Sequence, residues 1–139
     1  MMKVIVDTCI WSLALRRNNH IAGTETDVLN ELIVDGRVQM IGAIRQEILS
    51  GIKSEAQYRQ LRNTLIAFPD LKHTPDDYEL AARFFNTCRS NGIQGSNTDF
   101  LICATAVRYG MTVLTNDNDF FLFQKHINVT IYPTQTMQH

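Results

Sequence analysis

The residue pattern predicts an α/β fold: a mainly parallel central sheet of four to five strands, covered by helices on both faces to give three layers. Two observations carry this expectation. Short, unbroken apolar runs rich in β-branched residues recur along the chain, the pattern of strands buried on both faces. Between them lie stretches whose apolar residues repeat at spacings of three and four, the helical period. Strands spaced by helices need right-handed crossovers, which makes them parallel. With 139 residues and 45% hydrophobic content, the chain has the size of one domain and can bury about two thirds of its unfolded surface. No repeat, low-complexity tract or linker divides it, so one domain over 1–139 is expected.

In chain order, Val4 to Val6 is the first strand, and Thr8-Cys9-Ile10-Trp11 after Asp7 reads as a helix. Thr24 or Glu25 opens a helix with Val28, Leu29, Leu32 and Ile33 on one stripe, ending at Gly36. Val38 to Ile41 is the second strand, and Ile44 to Leu49 a short helix. Ser54 with Gln57 makes a capping box for a helix through Leu61, Leu65 and Ile66. Thr74-Pro75-Asp76-Asp77 places Pro in a helix's first turn; that helix carries Leu80, Ala81, Phe84 and Phe85 and stops at Gly92. After the turn-rich loop Ser90 to Ser96, Asn97 or Thr98 begins a helix that closes at Gly110. Met111 to Leu114 and Val129 to Tyr132 complete the strands.

Lys plus Arg number 13 against 14 Asp plus Glu, which argues against a strongly basic nucleic-acid binder. Setting four acids aside as metal ligands leaves 10 acids against 13 bases and weakens that objection. Cys9, Cys88 and Cys103 are odd in number and far apart, so a disulfide framework is not expected and a reducing cytoplasm is. The start lacks a signal h-region, and no apolar run approaches the ~20 residues of a membrane span.

Four acids stand at the ends of these elements: Asp7 after the first strand, Glu47 on the short helix, Asp99 heading a late helix, and Asp117 after a late strand. Each has a bland reading. Asp7 would cap the helix after it, Asp99 and Asp119 would complement helix dipoles, and Glu47 would be a solvated helix residue. Asp99, however, shares a face with Ile102, Cys103 and Ala106, so it points inward, and ligands on parallel sheets bind beyond the carboxyl ends of the strands, where Asp7 and Asp117 both fall. Two carboxylates about 4 Å apart repel by roughly 4 kcal/mol at an effective dielectric near 20. A set that converges therefore calls for a hard cation such as Mg²⁺ or Mn²⁺.

The order Val4-Ile5-Val6-Asp7-Thr8, Glu47-Ile48-Leu49-Ser50-Gly51, Thr98-Asp99-Phe100-Leu101-Ile102-Cys103-Ala104-Thr105-Ala106 and Leu114-Thr115-Asn116-Asp117-Asn118-Asp119-Phe120 resembles the PIN-domain family, in particular the VapC-type toxins of bacterial toxin–antitoxin pairs. The resemblance implies a PIN-like α/β/α fold. It implies Asp7, Glu47, Asp99 and Asp117 as catalytic and metal-binding carboxylates, Asp119 as a possible fifth ligand and Thr115 as a hydroxyl supporting them. Cys9 departs from the pattern, since the family often carries a small hydroxyl residue there. The implied protein is a cytoplasmic Mg²⁺- or Mn²⁺-dependent endoribonuclease, cutting RNA to a 5′-phosphate and a 3′-hydroxyl, restrained by a cognate antitoxin and dimeric in the family's habit. The alternative of another class is a PIN-like module that binds RNA or protein without cutting; it predicts an eroded carboxylate, and all four stand.

The chemistry needs no protein nucleophile. Metal ions held by carboxylates activate water, neutralise the nonbridging oxygens and assist the departing alkoxide. His20, His73, His126 and His139 lie in polar or terminal segments and read as structural or solvated. Arg16, Arg17 and Arg45 are candidates for phosphates beside the scissile bond, with surface solubility as the rival reading. Trp11 and Leu15 share a face and read as core, and of Phe120, Phe121 and Phe123 at least one should pack against the sheet. A haloacid-dehalogenase-like phosphatase would need a second Asp where Cys9 stands, and the paired acids and late Lys of a receiver domain are not evident.

Overall fold

A computed structural model describes residues 2–16 and 24–133. Arg17, His20, His139 and the side chain of Arg16 lie outside what is described.

Among the described residues three parallel strands form the sheet: β1 (Val4–Val6), β2 (Val38–Gln39) and β3 (Thr112–Leu114), in the order β2-β1-β3. Val4 pairs with Val38 on one side and Thr112 on the other, and Val6 with Leu114. Successive residues of a strand point to opposite faces. All three residues of β1 are fully buried, so both faces of the sheet are covered. The α/β class and the three layers are as expected; the strand number is three rather than four to five. Val129 to Tyr132 contributes a single bridge, Val113 to Ile131, with bonds from Val113 N–H to Thr130 O and Tyr132 N–H to Val113 O. Pro133 follows at once and has no N–H with which to continue the ladder. β2 is likewise short, because Gly42 opens a helix two residues after Met40, whose own bridge runs to Asp70.

Seven helices among the described residues surround the sheet: α1 (Thr8–Arg16), α2 (Thr24–Val34), α3 (Gly42–Leu49), α4 (Glu55–Leu65), α5 (Pro75–Ser90), α6 (Asn97–Tyr109) and α7 (Asp119–Phe123). No helix among them is long and apolar enough to cross a membrane. α6 packs on β1 and β3, and α5 packs along α6. Phe85, Phe100, Phe123 and Phe120 form a chain of ring contacts with centroids 4.7 to 5.6 Å apart, tying α5, α6 and α7 together. Gly95 is held against it: a Cβ there would lie 2.6 Å from Phe123 Cζ. Trp11 belongs to the core and meets Phe68 edge-on at 5.1 Å.

Arg45, a candidate phosphate contact, is engaged elsewhere. Its Nε donates to Asp70 Oδ1 at 3.0 Å, its Nη1 to Leu65 O at 3.1 Å, and its Nη2 to Phe68 O. It clamps the segment after α4 onto α3. His73 is also structural. The Thr105 hydroxyl donates to Leu101 O, so His73 Nε2 is the donor in its 2.9 Å bond to Thr105 Oγ1, and burial lowers the imidazole's pKa in spite of the Asp77 and Asp70 charges.

Asp77 joins α5 to α6. It closes a capping box with Thr74, receives Arg108 Nε at 2.6 Å and accepts Tyr109 OH at 3.1 Å, with its side chain out of solvent. Burial pushes its carboxyl up, but the Thr74, Tyr109 and Arg108 bonds outweigh that and hold it below the ordinary range. The native state therefore binds fewer protons than the unfolded chain just below pH 4, and stability falls as pH drops through the folded pKa. Asp77→Asn should lower the melting temperature at pH 7 and flatten the acid limb of stability against pH, measured by circular dichroism from pH 7 to 2; an unchanged limb would remove Asp77 from that role.

Candidate active site

β1 lies between β2 and β3, and the chain passes to β2 first and to β3 much later, so the crossovers diverge at the carboxyl end of β1. Such a switch point opens a crevice. Asp7 sits there: its N–H donates to Leu114 O at 2.9 Å, extending the β1–β3 ladder, while its carbonyl accepts from Ile10 and Trp11 in the first turn of α1.

The Asp7 side chain is 6% exposed and engaged on both oxygens. Oδ1 accepts Thr8 N–H at 2.8 Å; Oδ2 accepts the Thr115 hydroxyl at 2.8 Å and the Cys9 thiol at 3.4 Å. Burial raises its pKa, the bonds from Thr115, Cys9 and Thr8 pull it partly back, and the Asp117 charge adds to the rise. Cys9 acts here as a donor to Asp7. Burial and the Asp7 charge push its thiol up to about 11, so it keeps its proton.

Thr115, fully buried at the end of β3, couples two acids. Its hydroxyl proton goes to Asp7 while its oxygen accepts Asp117 N–H at 3.0 Å. Asp117 Oδ1 in turn accepts Asp119 N–H at 2.9 Å. Asp119 thus meets the site through its backbone; its side chain is exposed at the head of α7.

Asp99 is half-buried in the first turn of α6. Its Oδ2 accepts Ser96 N–H at 3.0 Å, and its N–H donates to Ser96 Oγ at 3.0 Å. Burial raises the Asp99 carboxyl, Ser96 opposes this, and the charges of Asp7 and Asp117 raise it further. Glu47 is exposed on α3, and the Thr8 hydroxyl donates to its Oε1 at 2.6 Å. Thr8 therefore ties Glu47 to Asp7 by giving its N–H to one and its O–H to the other.

A family model for the PIN domain matches residues 4–125. The chain belongs to the PIN-domain family. It is 29% identical over 129 residues to ribonuclease VapC11 of Mycobacterium tuberculosis, a span of 91% of this chain and 95% of that protein. Among solved structures it is similar to VapBC2 from Rickettsia felis bound to a promoter DNA fragment, with a TM-score of 0.75 and 16% identity over 96% of this chain and 100% of that one. It is also similar to VapBC-5 from M. tuberculosis, a member of the VapBC family of toxin–antitoxin systems, with a TM-score of 0.68 and 19% identity over 94% and 98% of the two chains.

In this PIN domain Asp7, Asp99 and Asp117 lie within electrostatic reach of one another, and Glu47 joins them through Thr8. Among the described residues no three His, Cys, Asp or Glu side chains stand close enough to hold a metal ion as they are. Each acid is held by hydrogen-bond donors, and none of the four forms an ion pair among the described residues, where the ion pairs are Arg45–Asp70, Arg59–Glu55 and Arg108–Asp77. The donor set is all carboxylate oxygen, and Asp99, Asp117 and Glu47 each keep one oxygen without a hydrogen bond among the described residues. That chemistry fits a hard divalent cation. Two further participants, Thr8 and Ser96, carried no role in the sequence reading. Ser96 has a local signal, a hydroxyl three residues before an acid at a helix start. Thr8 has none, because its partner Glu47 is 39 residues away.

Thr115→Val should lower ribonuclease activity by about 10–100-fold, the usual effect of losing a group that orients a functional carboxylate, and Thr115→Ser should restore it; equal activity in all three would exclude the clamp. Asp99→Asn removes a charge that its neighbours oppose. Its melting temperature in metal-free buffer at pH 7.5 should rise above the parent's, and Mg²⁺ should stabilise it less than the parent. A variant that melts below the parent and gains as much from Mg²⁺ would contradict this.

Proposed function

We propose that this PIN domain acts as a Mg²⁺- or Mn²⁺-dependent endoribonuclease, the toxin of a toxin–antitoxin pair, cytoplasmic, homodimeric and restrained by a cognate antitoxin. One observation carries the reading: three carboxylates from separate elements meet at the crevice beyond β1, where the Asp117 charge adds to the rise in the Asp7 pKa and the charges of Asp7 and Asp117 to that of Asp99, with no paired cation among the described residues. The ribonuclease name of the mycobacterial relative and the toxin–antitoxin description of VapBC-5 support the substrate class and the partner. Free Cys9, Cys88 and Cys103 suit a reducing compartment.

In this reading Asp7, Asp99, Asp117 and Glu47 hold the metal. The chemistry a divalent ion supplies in such a site is a more acidic water, neutralised nonbridging oxygens and help for the departing alkoxide. Asp7, gripped on both oxygens, is the fixed point of the set. Thr115 holds it at the spacing of the Asp117 backbone, and Thr8 steadies Glu47. Neither Cys9 nor His73 competes as nucleophile, since Cys9 is held as a neutral thiol and His73 is bound to Thr105.

A non-catalytic RNA- or protein-binding module is the second reading, favoured by the open spacing of the acids. The two separate on structured RNA. The parent chain should cut with Mg²⁺ or Mn²⁺ and stop in EDTA, and Asp7→Asn and Asp99→Asn should each lose more than the about 100-fold expected for an outer partner. Cleavage by both variants at the parent rate would eliminate the metal–carboxylate mechanism.

A further inference from the structure

On α5, Tyr78, Ala82, Phe85 and Arg89 follow one another at spacings of four, three and four, so they form one stripe. Tyr78, Ala82 and Arg89 are exposed and Phe85 is half-buried. Facing the stripe are Asn97 and Thr98 at the start of α6 and Ala43 in the first turn of α3, and between them is a hollow of about 410 Å³. A second hollow of about 280 Å³ shares Phe85 and Phe100 with the first and reaches Arg89 and Gln94. Ala43 precedes Glu47 by one helical turn and Thr98 immediately precedes Asp99. The larger hollow is therefore bounded by the turns that carry two of the candidate ligands.

We propose that this double hollow is a subsite for unpaired RNA beside the scissile phosphate, with a splayed base between Tyr78 and Phe85 and a neighbouring phosphate on Arg89. The inference rests on the endoribonuclease reading. Aromatic faces accept the π-face of any base, and a volume of this size suits one unstacked nucleotide and excludes a duplex. The Asn86 and Asn97 amides each offer a donor and an acceptor at the walls of the larger hollow, which is what a base edge requires. Arg89 lies over the Phe85 ring at 5.9 Å, so its guanidinium is held at the groove, and it has no ion pair among the described residues. Among the described residues none that lines either hollow is acidic. An RNA backbone thus meets a cation there and no like charge, in contrast to the neighbouring acids.

The test titrates a labelled single-stranded RNA with the Asp99→Asn chain, alone and with Tyr78→Ala or Arg89→Glu added. Each added change should weaken binding about tenfold without moving the melting temperature. In the otherwise unaltered chain Tyr78→Ala should raise KM and relax the base preference next to the cut. Unchanged binding and unchanged cut sites in a chain that cleaves RNA would overturn the subsite and leave the endoribonuclease reading standing. The same holds if the variants alter only self-association or antitoxin capture, which would make the groove a protein contact. A parent chain that cleaves no RNA with Mg²⁺ or Mn²⁺ would bring down both.

Discussion

A carboxylate held at the point where the sheet's connections diverge organises this molecule. Asp7 is buried at the end of β1 and has no ion pair among the described residues, so its charge is supported by three donors: Thr8 N–H, the Thr115 hydroxyl and the Cys9 thiol. Burying an unpaired charge is costly unless hydrogen bonds and a counter-ion make up the loss. The donors come from α1 and from the end of β3, and β3 reaches this place only because it pairs with β1 through Val6 and Leu114. The sheet register and the site are therefore one constraint.

α6 brings the second acid. It lies against β1 and β3 with seven consecutive residues, Phe100 to Ala106, buried, so its first turn is fixed over the strand ends, and the Ser96 capping box directs Asp99 there. At the other end of α6, Arg108 and Tyr109 converge on Asp77, which fixes α5 along α6 and with it the stripe from Tyr78 to Arg89. One helix thus sets both the acids and the groove beside them. A displacement of α6 would disturb the two together.

Much of this was legible because it is local. The helix starts at Thr74 and after Ser96, the left-handed stop at Gly110 and the unbroken run of β1 follow from short-range preferences that few neighbours can override. The fourth strand was not legible in its true form: Val129 to Tyr132 has strand residues, but its extent depends on how many ladder bonds it makes with β3, and it makes one bridge. Arg45 misled for a similar reason. Two residues before an acid it looks like a phosphate contact, whereas its partners Leu65, Phe68 and Asp70 lie 20 to 25 residues on.

The sequence by itself determined the class of fold and the order of its elements, and it placed the four acids at element ends, since periodicity and position at element ends are carried by adjacent residues. Tertiary structure alone decided how those acids share donors. Thr115 reaches Asp7 across 108 positions, Thr8 and Glu47 meet across 39, and Asp7, Asp99 and Asp117 stand within reach of one another's charge without closing into a cluster among the described residues. Such spacing results from strand pairing and helix packing, where distances of a few ångströms determine whether like charges merely repel or can share an ion.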